Sequence, residues 1–261
     1  MAEKRYSKSG WNFVPDIKIR YGQERSITGL WKNIIEITNK DERESLIDDL
    51  IAILEIDTEQ SGFFGKSNKV DCGCGCAFYL DDKQLYYMFF DNLKALNEQN
   101  KNKKVTDGSI INQAIKATIF QYAGGNGVNR KLRVAKTAIE ISDDEIKIPS
   151  ISAQKGQNCF YCTEYASISH NLWLLTGATS YFCFTNSDNF GFDNPEYKND
   201  THNFTIVEYD GKFRLYDLAM NNFCLLENDC IDSLLSGKGL EVENVNNPGV
   251  YAANLSEKEL L

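Results

Sequence analysis

The stretch that decides the fold is His202-Asn-Phe-Thr-Ile-Val-Glu-Tyr-Asp-Gly-Lys-Phe-Arg-Leu-Tyr-Asp217. Two strand-like runs flank Asp210-Gly211. Asp-Gly between such runs marks a two-residue hairpin, because a type I′ turn needs positive φ at both central residues. So short a loop also fixes the register: Tyr209 faces Lys212, Val207 faces Arg214, Ile206 faces Leu215 and Phe204 faces Asp217. Strand side chains alternate faces with a period of two. One face then carries His202, Phe204, Ile206 and Glu208, with Phe213, Leu215, Asp217 and Ala219. The other carries Asn203, Thr205, Val207 and Tyr209, with Lys212, Arg214, Tyr216 and Leu218. The first face reads as the buried one, with Phe204, Ile206, Phe213 and Leu215 at its centre. His202 and Asp217 share it one diagonal step apart, roughly 7–8 Å at the backbone. An ionisable pair at the end of an apolar face is costly unless its members bond each other. The hairpin therefore predicts an imidazole beside a carboxylate, whether for chemistry or as a structural bond.

Upstream, Tyr165, Ile168, Leu172 and Leu175 recur at three- and four-residue spacing, the pattern of an amphipathic helix. Gly177 follows its last turn and predicts its end. Cys162 falls in the first turn, where unpaired N–H groups and the helix dipole favour a thiolate. Asn158 is a candidate N-cap. Gln157 is a candidate amide donor to the oxyanion formed when a thiolate attacks a carbonyl. Ala166 and Ser169 are small enough to admit a close neighbour. In chain order Cys162, His202 and Asp217 are a thiol, an imidazole and a carboxylate, the parts that nucleophilic catalysis by cysteine needs.

These residues resemble the transglutaminase-like superfamily of cysteine enzymes. That family reads Cys-x-(Asp/Glu)-(Phe/Tyr)-Ala, then a helix ending in Gly, then a strand, then a His on one strand and an Asp closing the next. Here stand Cys162-Thr-Glu-Tyr-Ala166, Gly177, the apolar run Ala178–Phe184, His202 and Asp217. The match spans roughly residues 155 to 220. Phe204 stands where the family often has Trp. The resemblance implies a papain-like α+β fold, with a nucleophile helix packed on an antiparallel sheet and extra N-terminal helices. It implies a Cys162–His202–Asp217 triad that attacks an amide carbonyl without a cofactor. A peptide or protein substrate, hydrolysed at a peptide, isopeptide or other amide bond, is the expectation. Two alternatives stand beside it: acetyl transfer of the arylamine N-acetyltransferase kind, and a binding module whose triad is structural.

Composition sets bounds on these readings. The chain has 261 residues, 42% of them hydrophobic, enough for a substantial core in a single domain. A net charge of −9 argues against nucleic acid as a partner. No run approaches the length of a membrane span, and Met1–Lys8 leads into no signal-like apolar segment, so a cytoplasmic protein, or one that leaves by a route without such a signal, is expected. The eight cysteines are not spaced like a secreted disulfide framework.

Residues 1–26 read as irregular, 27–125 as mainly helical and 150–230 as the catalytic core. Within the helical part, Leu30, Trp31, Ile34 and Ile35 mark one helix. Asp41-x-x-Glu44 resembles a capping box ahead of Leu46, Ile47, Leu50, Ile51 and Leu54. Leu85–Leu96 forms a third, and Ser109 is a candidate cap for a fourth, striped by Ile111, Ile115 and Ile119. Gly124-Gly-Asn-Gly127 lacks the Gly-Lys-Ser/Thr ending of a phosphate loop. Lys131–Ile148 holds strand-like pieces, and Thr185–Thr201 is a polar loop beside the expected site. Residues after Asp229 read as a short helix, a loop and a polar tail.

Cys72-Gly-Cys74-Gly-Cys76 has the look of a metal tract, but zinc wants four ligands and no second pair is obvious. Small side chains packing in a Gly-rich segment is the reading preferred, so no metal is expected. Cys159-Phe-Tyr-Cys162 has dithiol spacing, without the βαβ setting or adjacent Pro of a redox site. His170 lies two turns deeper along its helix than Cys162 and reads as a surface or core-satisfied residue.

Overall fold

Asp210 and Gly211 carry φ angles of 53° and 65°, the two positive values that the hairpin requires. The computed structural model describes residues 11–14, 17–23, 29–53, 82–123, 162–186, 201–219, 221–236, 238 and 240–243. In chain order the strands are β1 (Trp11–Val14), β2 (Ile17–Gln23), β3 (Thr179–Asn186), β4 (Thr201–Tyr209), β5 (Lys212–Asp217), β6 (Asn222–Leu225) and β7 (Leu240–Glu243). The helices are α1 (Leu30–Glu36), α2 (Lys40–Ile53), α3 (Gln84–Asn100), α4 (Asp107–Ala123), α5 (Cys162–Leu174) and α6 (Cys230–Leu235).

The turn sets the register. Tyr209 pairs with Lys212, Val207 with Arg214 and Ile206 with Leu215, as the two-residue loop dictates. Around this hairpin a five-stranded antiparallel sheet forms in the order β2-β3-β4-β5-β6. β1 and β7 form a separate antiparallel ribbon. It is tied on by a bridge from Leu226 to Val242. The fold is thus mixed α+β with an antiparallel sheet.

Three strands depart from the sequence reading. Residues 1–26 hold β1 and β2 rather than irregular chain, and Leu240–Glu243 is a strand rather than part of a polar tail. The alternation of Ile17, Ile19 and Tyr21 was the available signal for β2. β1 and β7 are four residues each, too short for periodicity to show, and each is fixed by a partner more than 200 residues away.

Both faces of the hairpin are buried, where the sequence pointed to one. Val207, Tyr209, Tyr216 and Leu218 join Phe182 in a large core with α1 to α5. Phe204, Ile206 and Leu215 join Cys183, Cys224, Cys230, Leu234, Leu240 and Val242 in a smaller core under α6 and β7. The large core holds most of the expected stripes, namely Trp31, Ile34 and Ile35; Ile47, Leu50 and Ile51; Ile111, Ile115 and Ile119, whereas Leu30 and Leu46 are exposed. Fully burying a side chain of this size stabilises by about 1.5–3 kcal/mol, so these stripes hold the helices to one another and to α5, which lies on the sheet.

Helix ends follow local hydrogen bonding. The Asn39 side chain accepts the N–H groups of Asp41 and Glu42 at 3.0 and 3.3 Å. Asn39 is therefore the cap of α2, two residues before the Asp41 expected from the capping-box spacing. Thr106 caps α4 through the Ser109 N–H at 3.3 Å, so Ser109 is the third residue of that helix and not its cap. α5 ends as predicted at Gly177, whose φ is 84°. Gly177 N–H donates to Leu174 C=O at 2.9 Å, and Ala178 N–H to Trp173 C=O at 3.3 Å. This is the Schellman pair of bonds, in which a left-handed glycine lets the chain turn back and occupy the last carbonyls.

That turn sends the chain straight into β3, so α5 lies along β3 and β4. From Glu164 to Thr176 every residue of its length is buried. The helix is central, covered on one side by the sheet and on the other by α3 and α4. Asn171 donates to the Tyr86 hydroxyl at 3.3 Å across the second of these contacts. Gly124–Gly127, Lys131–Ile148, Cys72, Cys74, Cys76, Gln157, Asn158, Cys159 and most of the Thr185–Thr201 loop lie outside the described residues.

Candidate functional site

Cys162 is the first residue of α5 and is partly exposed, whereas Cys183, Cys224 and Cys230 are buried. Burial pushes the thiols of all three buried cysteines up, that of Cys230 to about 12. A buried neutral thiol is a poor nucleophile. Among the described cysteines, Cys162 alone combines solvent access with a helix N-terminus.

β4 meets this end of α5. Alternation turns Asn203, Thr205 and Val207 toward the helix. Asn203 is fully buried, and its Nδ2 donates to Cys162 Sγ at 3.8 Å. Thr205 Oγ1 donates to the Tyr216 carbonyl at 3.1 Å and pins β4 to β5 just behind it. The nucleophile candidate therefore touches β4 at the residue adjoining His202. The sequence placed Asn203 on this face but gave it no role. The available signal was a polar amide beside the histidine, in a strand whose inner residues are buried.

His202 lies in β4 with Thr185 of β3 as its backbone partner. Its side chain lies outside the described residues. Asp217 ends β5, is 2% exposed and pairs with Asn222 of β6. By register it shares the face of Leu215 and Cys224, the side turned to α6 and β7. The backbone thus carries His202 and Asp217 on neighbouring strands as the hairpin predicted. It brings Cys162 in from the α5 side, to Asn203. Gln157, the oxyanion candidate, lies outside the described residues.

Two further groups line the buried first turns of α5. Glu164 is fully buried. Tyr165 has its phenol pushed up to about 12, by burial first and by Glu164 second. Among the described residues, no group of three or more His, Cys, Asp or Glu side chains converges as a metal site requires. No helix among them is long and apolar enough to cross a membrane.

His170 lies within the core, where the sequence left surface and core both open. It is 1% exposed, and its Nδ1 lies 2.8 Å from Ser180 Oγ of β3. Burial pushes its pKa from 6.5 down to about 3. The imidazole is therefore neutral when folded and takes up its proton only on unfolding. Stability from this group is complete above about pH 6.5 and lost as the pH falls toward 3. Carboxylates titrate in the same window, so the measurement is a difference between proteins. Denaturant unfolding of wild type and His170→Asn should diverge below pH 6.5. The wild type should lose up to ~1.4 kcal/mol per pH unit more than the variant. Parallel curves would show that His170 is protonated alike in both states.

Comparison with protein-family models, with curated proteins and with solved structures finds no match for this chain.

Proposed function

We propose that this chain is a cysteine-nucleophile acyl-transfer enzyme with a papain-like, transglutaminase-like core. Cys162 attacks an amide carbonyl, His202 takes the thiol proton and returns it to the leaving amine, and Asp217 holds the imidazole tautomer. Water then releases the acyl group, so the reaction is hydrolysis of a peptide, isopeptide or other amide bond. No cofactor enters these steps. A free thiol nucleophile suits a reducing, cytoplasmic setting.

One observation carries the reading. The partly exposed Cys162 stands in the first turn of a buried helix, with its sulfur against the strand residue next to His202. The proposed triad draws on β4 for His202 and on the adjoining β5 for Asp217.

Alkylation by iodoacetamide near neutral pH tests the nucleophile directly. Cys162 is expected to label at least about tenfold faster than an ordinary thiol of pKa near 8.5. His202→Ala should remove that advantage. Labelling of Cys162 at the ordinary rate, unchanged by His202→Ala, would leave a structural His–Asp pair in a binding module.

A further inference from the structure

We infer that Asn203 is a hydrogen-bond donor to the Cys162 thiolate, a residue that holds the charge and the aim of the nucleophile. The inference rests on the proposed role of Cys162 and adds a fourth residue to it. Asn203 Nδ2 lies 3.8 Å from Cys162 Sγ, and the amide is fully buried. A neutral thiol is a weak acceptor, and this separation suits one. A thiolate is a charged acceptor, and hydrogen bonds to charged acceptors are shorter and roughly twice as strong. The bond therefore strengthens as the proton leaves, so it favours the reactive form over the resting one. Position 203 is also rigid. It pairs with Phe184 in the sheet, while Thr205 locks the next inward position to β5. A donor fixed this way needs no rearrangement when charge develops on the sulfur.

The nearby ionisable groups are Glu164 in the first turn of α5 and, in the proposed triad, His202 and Asp217. All three stay the same when only position 203 is changed. The experiment follows the rate of Cys162 alkylation against pH in wild type, Asn203→Leu and Asn203→Asp. Leucine keeps the branching and removes the donor, with a somewhat larger side chain; aspartate keeps the shape and places an acceptor against the sulfur. The pH midpoint of labelling should rise by about half a unit to one unit in Asn203→Leu, and by more in Asn203→Asp. Thermal melting identifies variants that fold. If neither does, the wild type serves: the Asn203 side-chain amide resonances should shift on the same midpoint as Cys162 labelling.

Midpoints equal to wild type in folded variants overturn the inference, as do amide resonances that ignore the thiol titration. This failure is distinct from failure of the triad. If Cys162 stays fast and sensitive to His202→Ala while position 203 has no effect, only the donor role falls. If Cys162 labels at an ordinary rate in wild type, the acyl-transfer reading itself falls.

Discussion

Asp217→Asn is expected to slow acylation of Cys162 by about 10³-fold or more, with the fold retained. The reason lies at the end of β5. Asp217 is 2% exposed and fixed by pairing to Asn222. An amide fills the same space but offers an N–H where the imidazole needs an acceptor. In the proposed triad it would hold the wrong tautomer and fail to balance the imidazolium formed on proton transfer. The measurement needs no knowledge of the natural substrate. An activated ester such as p-nitrophenyl acetate should give a burst of nitrophenolate, about one equivalent per chain, that disappears in Cys162→Ala. The rate of that burst is then compared between wild type and Asp217→Asn, with melting curves to establish that the variant is folded. A burst within about tenfold of wild type would remove Asp217 from the mechanism and leave it a structural acid.

Trp173→Ala is expected to be the most damaging core substitution, costing about 3–5 kcal/mol. Trp173 is fully buried in the last turns of α5, against three strands of the sheet. Its ring lies 5.9 Å from that of Tyr209, 5.6 Å edge-on from that of Tyr216, and 6.1 Å in a stack from that of Phe223. Removing the indole leaves a cavity bounded by sheet and helix, neither of which can collapse into it. With total stabilities of about 5–15 kcal/mol, such a loss is a large part of the whole. Trp173→Phe separates packing from polarity. The indole Nε1 finds no acceptor among the described residues. Phenylalanine keeps most of the ring and sheds that orphan donor, so it should cost about 1 kcal/mol or less. Urea denaturation gives both values. An alanine variant within about 1 kcal/mol of wild type would show that the α5–sheet contact is not where the stability resides.

What could be read in advance was local. Asp210-Gly211 settled a turn, and the turn settled the register of the ten residues paired between β4 and β5. Gly177 likewise ended α5 through bonds within its own last turn. The N-caps fell two or three residues off because Asn39 and Thr106 lie before the pattern that announces the helix. β1 and β7 went unseen because each is stabilised by the other, across almost the entire chain. The burial of α5 on every side was also hidden. Ser167, Ser169 and His170 are buried along with the apolar residues, and His170 meets Ser180 of β3. In the site, the positions of His202 and Asp217 on adjoining strands followed from the turn. The meeting of Cys162 with Asn203 did not, since it joins residues 41 apart through the way a helix lies on a sheet.

The enclosure of α5 has a consequence for how this molecule can be divided. Trp31 Nε1 reaches the Tyr209 hydroxyl at 3.4 Å, and Tyr86 receives Asn171, so the first half of the chain roofs the second. A fragment cut at residue 150 would keep every group named for the chemistry and still bare one flank of the helix that presents the sulfur. The halves are not a tool and its handle; evolution could vary the surface of either, but could not trade one away without undoing the other.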